Sequence, residues 1–185
     1  MADDRSLRFR HAYARSVDGW IDSTPLTILV LGPNMEERPL KPSGRLRREI
    51  YRRCPEYGVA VKGELRELIA DAKARMGAGF DLCLHEMRVA KKSDVIIIIA
   101  DSPGSFAELG LFALEPQMCA KSLVLFNRSY KKINTFLRQG PARAYDIRKA
   151  TVLRVNYDDV DEVWKLVVKE LQRHRAAKMG KRRRR

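Results

Sequence analysis

Residues 94–113 run Asp-Val-Ile-Ile-Ile-Ile-Ala-Asp-Ser-Pro-Gly-Ser-Phe-Ala-Glu-Leu-Gly-Leu-Phe-Ala, and they constrain the fold more than any other stretch. Apolar, mostly β-branched residues follow one another with no polar alternation. A strand of that kind must be covered on both faces, as in a parallel sheet. A turn of small residues and a helical segment follow at once. This order puts Ser102 to Glu108 at the carboxyl end of a central strand, where open α/β sheets bind ligands. Small side chains and N–H groups at a helix start suit phosphate or ribose oxygens. Glu108, expected on the first helical turn, is the strong acid–base or nucleophile candidate there.

The same alternation extends along the chain. Thr27 to Leu31 reads as a buried strand ended by Gly32-Pro33-Asn34, with a proline-rich loop to Ser43. Leu46, Ile50 and Tyr51 sit at helical spacing, and Pro55 to Gly58 ends that helix. A second strand is expected at Val59 to Val61, then Gly63-Glu64 and a helix over about Leu65 to Met76. A further helix over about Phe80 to Lys92 would bury Phe80, Cys83, Leu84, Met87 and Ala90. Strands at Ser122 to Phe126 and Thr151 to Val155 complete five, with an irregular or partly helical segment from Tyr130 to Lys149. A last amphipathic helix carries Val160, Val163, Trp164, Val167, Val168 and Leu171. The pattern predicts a three-layer, doubly wound α/β domain of the Rossmann or flavodoxin-like kind, with a mainly parallel five-stranded sheet. Right-handed crossovers would gather Gly32-Pro33-Asn34, Gly63-Glu64 and Ser102 to Glu108 around one crevice.

Composition limits what surrounds this domain. At 185 residues and 45% hydrophobic, one domain with one substantial core is the expectation. Residues 1–24 read as an arginine-rich helical extension, 25–172 as the α/β domain and 173–185 as a basic tail. No stretch approaches the roughly 20 apolar residues of a membrane span, and the first residues lack a secretory apolar run. Cys54, Cys83 and Cys119 show no metal or disulfide spacing, and all three are expected as small buried residues. A reducing cytoplasm fits them. The net charge is +14, and nine basic residues from Lys169 to Arg185 stand against Glu170 alone. Such an end is either a footprint for nucleic acid or another polyanion, or a solubilising terminus.

Within the crevice, Asp101 is a ligand or helix-cap candidate, and Ser102, Gly104 and Ser105 are phosphate or sugar candidates. Ser105-x-x-Glu108 also matches a capping box, in which Glu108 would merely bind the Ser105 N–H. An ionised carboxylate facing an anomeric carbon is, by contrast, a competent nucleophile or oxocarbenium stabiliser. Glu86 stands on the preceding helix, as a solvated glutamate or a second functional acid, and His85 beside it reads as surface or packing. Asp94 reads as the closure of the helix-to-strand turn. There is no G-x-G-x-x-G and no Walker lysine motif, so no cofactor is expected.

Ser102-Pro-Gly-Ser-Phe-Ala-Glu108-Leu-Gly-Leu-Phe-Ala resembles the active-site segment of the nucleoside 2-deoxyribosyltransferase superfamily and its nucleotide-hydrolysing relatives. The resemblance extends over about residues 26 to 157, taking in Gly44-Arg-Leu-Arg-Arg-Glu-Ile, Val61-Lys-Gly-Glu64, the Glu86 helix and Gly140-Pro141-Ala142. It is similar to effectors of bacterial defence and toxin systems, including those carried with retrons. Gly104-Ser105-x-x-Glu108 also overlaps a motif of lysine-decarboxylase-like phosphoribohydrolases and nucleotide-sensing domains. The resemblance implies that Glu108 is the nucleophile, that Ser102 binds phosphate, and that Glu86 orients the sugar or base. Glu86 stands where the family often has aspartate. Gly32-Pro33-Asn34 would close over substrate and Glu64 would border it. A homo-oligomer with shared sites is also implied.

Three functions remain open on these residues. The first is an N-glycosidase acting on a nucleotide, nucleoside or NAD-like molecule. The second is a nucleotide-sensing domain without chemistry. The third, compatible with the first, is a subunit recruited to nucleic acid by its basic end.

Overall fold

The computed structural model describes residues 24–62, 69–70, 73–75, 77–79, 81–132 and 138–182. The N-terminal extension, Glu64 and most of the predicted 65–76 helix therefore lie outside the described residues. Five strands form the sheet: β1 (Leu26–Leu31), β2 (Gly58–Val61), β3 (Val95–Ala100), β4 (Ser122–Asn127) and β5 (Thr151–Val155). Their order is β2-β1-β3-β4-β5 and every pairing is parallel. This is the doubly wound arrangement that the alternation predicts. The chain direction reverses across the sheet between β1 and β3, which makes their carboxyl ends the topological switch point.

Strand period two divides the core into two layers. Ile28 and Val30 of β1, with Val95, Ile97 and Ile99 of β3, face one side. There they meet Leu46 and Ile50 of α1 (Pro42–Arg53) and Val163, Val167 and Leu171 of α6 (Val160–Arg182). Leu29, Leu31, Ile96, Ile98 and Ala100 face the other side. These pack with Ala90 of α2 (Leu82–Lys92), with Leu109 and Phe112 of α3 (Pro103–Ala113), and with Met118 and Cys119 of the short α4 (Pro116–Cys119). Tyr145 of α5 (Arg143–Ile147) completes that layer. All six β3 residues are fully buried, as an unalternating apolar run requires.

Gly58 shows how closely β1 and β2 approach. Its φ is +154°, and a Cβ there would lie 1.9 Å from the Leu26 carbonyl oxygen, so only glycine fits.

Two expectations are corrected. On α2 the buried residues are His85 and Ala90, whereas Cys83 is exposed and Leu84 is 50% exposed. The apolar spacing of the segment is satisfied by two helical phases, and packing on β1 selects the one that turns His85 inward. The second correction concerns α6. It continues as one helix to Arg182, so most of the basic end is helical and joined to the core. Arg175 is buried, donates to the Glu56 carbonyl (3.0 Å) and lies 4.6 Å over the Tyr57 ring. Lys178 donates to Asp94 Oδ2 (2.7 Å) and to the Pro25 carbonyl (2.8 Å). Asp94 also accepts the Thr27 N–H (2.8 Å), so it ties β1, β3 and α6 together.

Glu170, the one acid in this basic run, is buried beneath it. It accepts hydrogen bonds from Thr151 Oγ1 (3.0 Å), Arg173 Nε (3.1 Å) and His174 Nε2 (3.1 Å). Burial by itself would raise its pKa, but the bonds from His174, Arg173 and Thr151 outweigh that and hold it at about 2. A depressed folded-state pKa stabilises above the ordinary 4.5 and is lost as pH falls from there toward 2. Glu170→Gln should therefore cost about 3 kcal/mol at pH 7, read as a lowered urea midpoint. Its difference from wild type should narrow between pH 5 and pH 2.5; an equal difference at both ends would contradict this role.

Candidate functional site

The site is built where β1 and β3 end. Leu31 pairs with Ile98, so Gly32 leaves the sheet beside Ile99, and β3 runs on one residue further, to Ala100, before Asp101. Gly32 has φ +148°, and a Cβ there would meet Ile99 Cβ at 3.0 Å and Ile99 O at 3.1 Å. Glycine lets the loop leave against β3 without a clash. Pro33 is buried; Asn34 is exposed, and its side-chain oxygen accepts the Glu36 N–H (2.9 Å).

Beneath this loop lies a residue the sequence reading missed. Arg47 of α1 is 2% exposed. Its Nη1 donates to Gly32 O (2.8 Å) and Pro33 O (3.1 Å), and its Nη2 to Val30 O (2.9 Å). Beyond its last strand bonds β1 has carbonyls that need donors, and the guanidinium fork supplies several at fixed geometry. Arg47 lies within the apolar helical stripe, next to Leu46, and its position there was the available signal.

On the β3 side the turn is held by two serines. Ser102 is the N-cap of α3 and Pro103 its first residue, a position proline suits because its missing N–H is unneeded there. Ser102 Oγ accepts the Ser105 N–H (3.2 Å), and Ser105 Oγ accepts the Ser102 N–H (2.9 Å) and the Asp101 N–H (3.1 Å). The two hydroxyls also bond each other at 3.0 Å. The capping box is thus Ser102 with Ser105, not Ser105 with Glu108, and the helix begins three residues earlier than that alternative requires. Glu108 stands on the second turn rather than the first. It takes no part in that box, and the helix dipole acts on it less than at the first turn.

Glu108 is half-buried, with Oε2 enclosed by protein. Its negative charge reaches Tyr145, whose pKa is raised well above the usual range by burial first and also by Cys119 and Glu108. Phe106 marks the opposite flank of α3. It packs edge-on against Tyr130, in the turn after β4, at 6.4 Å between ring centroids. Glu108, two residues on and about 200° round the helix, leaves on the flank turned away from β4, toward the β1 side. Tyr130 also donates to Asp101 Oδ1 (2.8 Å). Burial chiefly raises the Tyr130 pKa, and the Asp101 bond adds to it. Asp101 is therefore anchored across the β3–β4 gap.

Gly104 is exposed, and a side chain there would meet nothing within 4 Å, so space lies open over the turn. Glu86 is half-buried on α2, which covers the same sheet face as α3. The structure thus brings together Gly32, Pro33, Asn34, Asp101, Ser102, Gly104 and Ser105 at the switch point, with Glu108 one turn into α3. Glu86 is on the same face. Glu64 lies outside the described residues. Among the described residues, no group of three or more His, Cys, Asp or Glu side chains is placed to hold a metal ion.

The comparisons with known proteins bear on this geometry. A family model described as "STM3845 retron effector protein" matches residues 48–184. The chain belongs to this retron effector family. The effector is 31% identical over 98 residues to an Escherichia coli protein named "Retron Ec86 putative ribosyltransferase/DNA-binding protein", covering 52% of this chain and 32% of that protein. It is 36% identical over 59 residues to the Escherichia coli retron Ec73 protein of the same description, covering 32% of this chain and 19% of the relative. The chain thus spans a third or less of the curated relatives it matches. A role in a defence system follows from the family. Glu86, Asp101 to Glu108 and α6 lie inside the matched span; β1 and its loop lie before it. Among the described residues no helix is long and apolar enough to cross a membrane.

The serine pair gives a direct test of the turn. Ser105→Ala removes the acceptor for two buried or half-buried N–H groups and should lower stability by about 1–3 kcal/mol, measured as a urea midpoint shift. A fully stable variant would show that water replaces the hydroxyl and that the turn does not need it.

Proposed function

We propose that this retron effector is an N-glycosidase that cleaves the bond between base and (deoxy)ribose in a nucleotide, nucleoside or NAD-like substrate. The reading is carried by Glu108: a half-buried carboxylate outside the Ser102–Ser105 capping box, on the flank of α3 turned from β4 toward β1. The ribosyltransferase in the names of the two relatives supports it, as does the likeness of Ser102 to Glu108 to deoxyribosyltransferase sites.

In this mechanism Glu108 attacks the anomeric carbon as the C–N bond breaks. The base leaves with the bonding pair and takes a proton from solvent. Water then hydrolyses the glycosyl ester and restores the carboxylate. Should a second base reach the ester first, the outcome is transfer instead. Ser102 and the open turn at Gly104 hold phosphate or sugar oxygens, and Glu86 orients the substrate. Chromatography of reactions with deoxynucleotides, nucleotides, nucleosides and NAD, with and without added nucleic acid, should show free base. Glu108→Gln should reduce its release by about 10³-fold or more. Ligand binding by wild type with no base from any of these substrates would instead make the protein a nucleotide sensor.

A second, compatible reading is contact with nucleic acid through the basic end. It is favoured by the charge from Lys169 to Arg185 and by the words "DNA-binding" in the relatives' names. Oligonucleotide affinity should fall steeply with salt and weaken on deletion of residues 178–185; affinity independent of salt would remove its basis.

A further inference from the structure

The basic end is held against the amino-terminal edge of the sheet, and it borders a groove there. An open cavity of about 530 Å³ is lined by Ser93, Asp94, Gln117, Lys121, Arg173 and His174, with Ala120 and Ala177 as its small side chains. One wall is α6 and the other is the α4–β4 turn. It lies at the far end of β3 from Asp101 and Ser102, about 20 Å away for a six-residue strand.

The charges of this groove are positioned rather than merely abundant. Arg173 is gripped by Glu170 through Nε and Nη2, yet its side chain stays 51% exposed. Lys121 donates to Lys91 O (2.9 Å) and Ser93 O (2.6 Å), which orient its ammonium. The lining acid Asp94 is engaged by Lys178 and by the Thr27 N–H. Glu170 beneath is engaged by Arg173, His174 and Thr151. Lys91 and Lys92 stand exposed on the last turn of α2 at the same rim, Lys91 paired with Glu115 at 3.8 Å. From Arg173 to Arg182, α6 adds about 14 Å of helix, enough to pass several phosphates at about 3.4 Å of duplex axis each.

We propose that the groove between α6 and the Gln117–Lys121 turn seats the phosphate backbone of a nucleic acid. The proposal rests on the second reading above and assigns that reading a place. A concave groove with polar donors suits a phosphate strand. An anionic membrane surface would call for apolar residues beside the cations, and among the described residues of α6 only Leu166 is a large apolar side chain that is exposed, at 40%.

The test inserts negative charge without removing a structural bond. Gln117 and Ala177 are exposed groove residues, and the double variant Gln117→Glu/Ala177→Glu leaves the Arg173–Glu170 and Lys121 contacts in place. Fluorescence anisotropy with labelled single-stranded and duplex DNA and RNA oligonucleotides would be run on the full chain across a salt series. A second variant changes Arg182 to Arg185 together to glutamine, and urea midpoints establish that both variants are folded. The groove variant should bind about tenfold more weakly at 100 mM salt, with a slope of log affinity against log salt reduced by about 1–2. Wild-type affinity in the groove variant, with loss in the Arg182–Arg185 variant, would overturn the groove and leave the basic-end reading standing. Wild-type affinity in both, or no oligonucleotide binding by wild type at low salt, would overturn both. Preferential binding to phosphatidylserine vesicles would overturn the choice of nucleic acid.

Discussion

The parallel pairing of β3 with β1 supports everything else in this effector. Six consecutive apolar residues of β3 are buried on both faces, which is stable only in the middle of a sheet covered by helices on each side. Fixing that strand fixes its two ends, and each carries an aspartate. Asp94 at the start binds a β1 N–H and draws in Lys178 of α6. Asp101 at the finish receives the Tyr130 hydroxyl from the β4 turn. A one-residue slip of β3 would exchange its two faces and move both aspartates from these partners.

The two ends of the sheet differ in what their polar groups do. At the carboxyl end, Arg47 holds the β1 loop from below and the serine pair holds the β3 turn by mutual capping. These bonds use the hydroxyls that look, in isolation, like ligand groups. Glu108 is the polar side chain of that helix outside the box, and the serine bonds pre-shape the turn over which space is open. At the amino end the charges are mostly basic, and their acids are already engaged. A small anionic molecule and a long polyanion would therefore meet different chemistries on opposite edges of one sheet.

Much of the fold was legible because strands of this kind announce themselves. The runs at Leu26–Leu31, Val95–Ala100 and Ser122–Asn127 are continuous and apolar, and turn residues bound them. The cap of α3 was less legible: Ser102 and Ser105 each satisfy an N-cap pattern, and Pro103 at the first helical position favours Ser102. His85 and Leu84 are adjacent, and the helical period alone does not choose which faces the core. Arg47 was not legible as a structural donor because the carbonyls it serves are 14 to 17 residues earlier in sequence. Arg175 and Lys178 read as parts of a tail, since their partners Glu56, Pro25 and Asp94 are 84 to 153 residues away.

By itself the sequence determined the elements, the parallel character of the sheet and the small-residue turn that leads to Glu108. Those properties rest on local periodicity, side-chain size and backbone preference, which act over a few neighbouring residues. Only the tertiary structure decided the strand order, the flank on which Glu108 leaves its helix, the burial of Arg47 and the attachment of the basic end to the sheet. Each of these depends on which distant backbone groups need a donor or an opposite charge once water is excluded, and no local pattern encodes that.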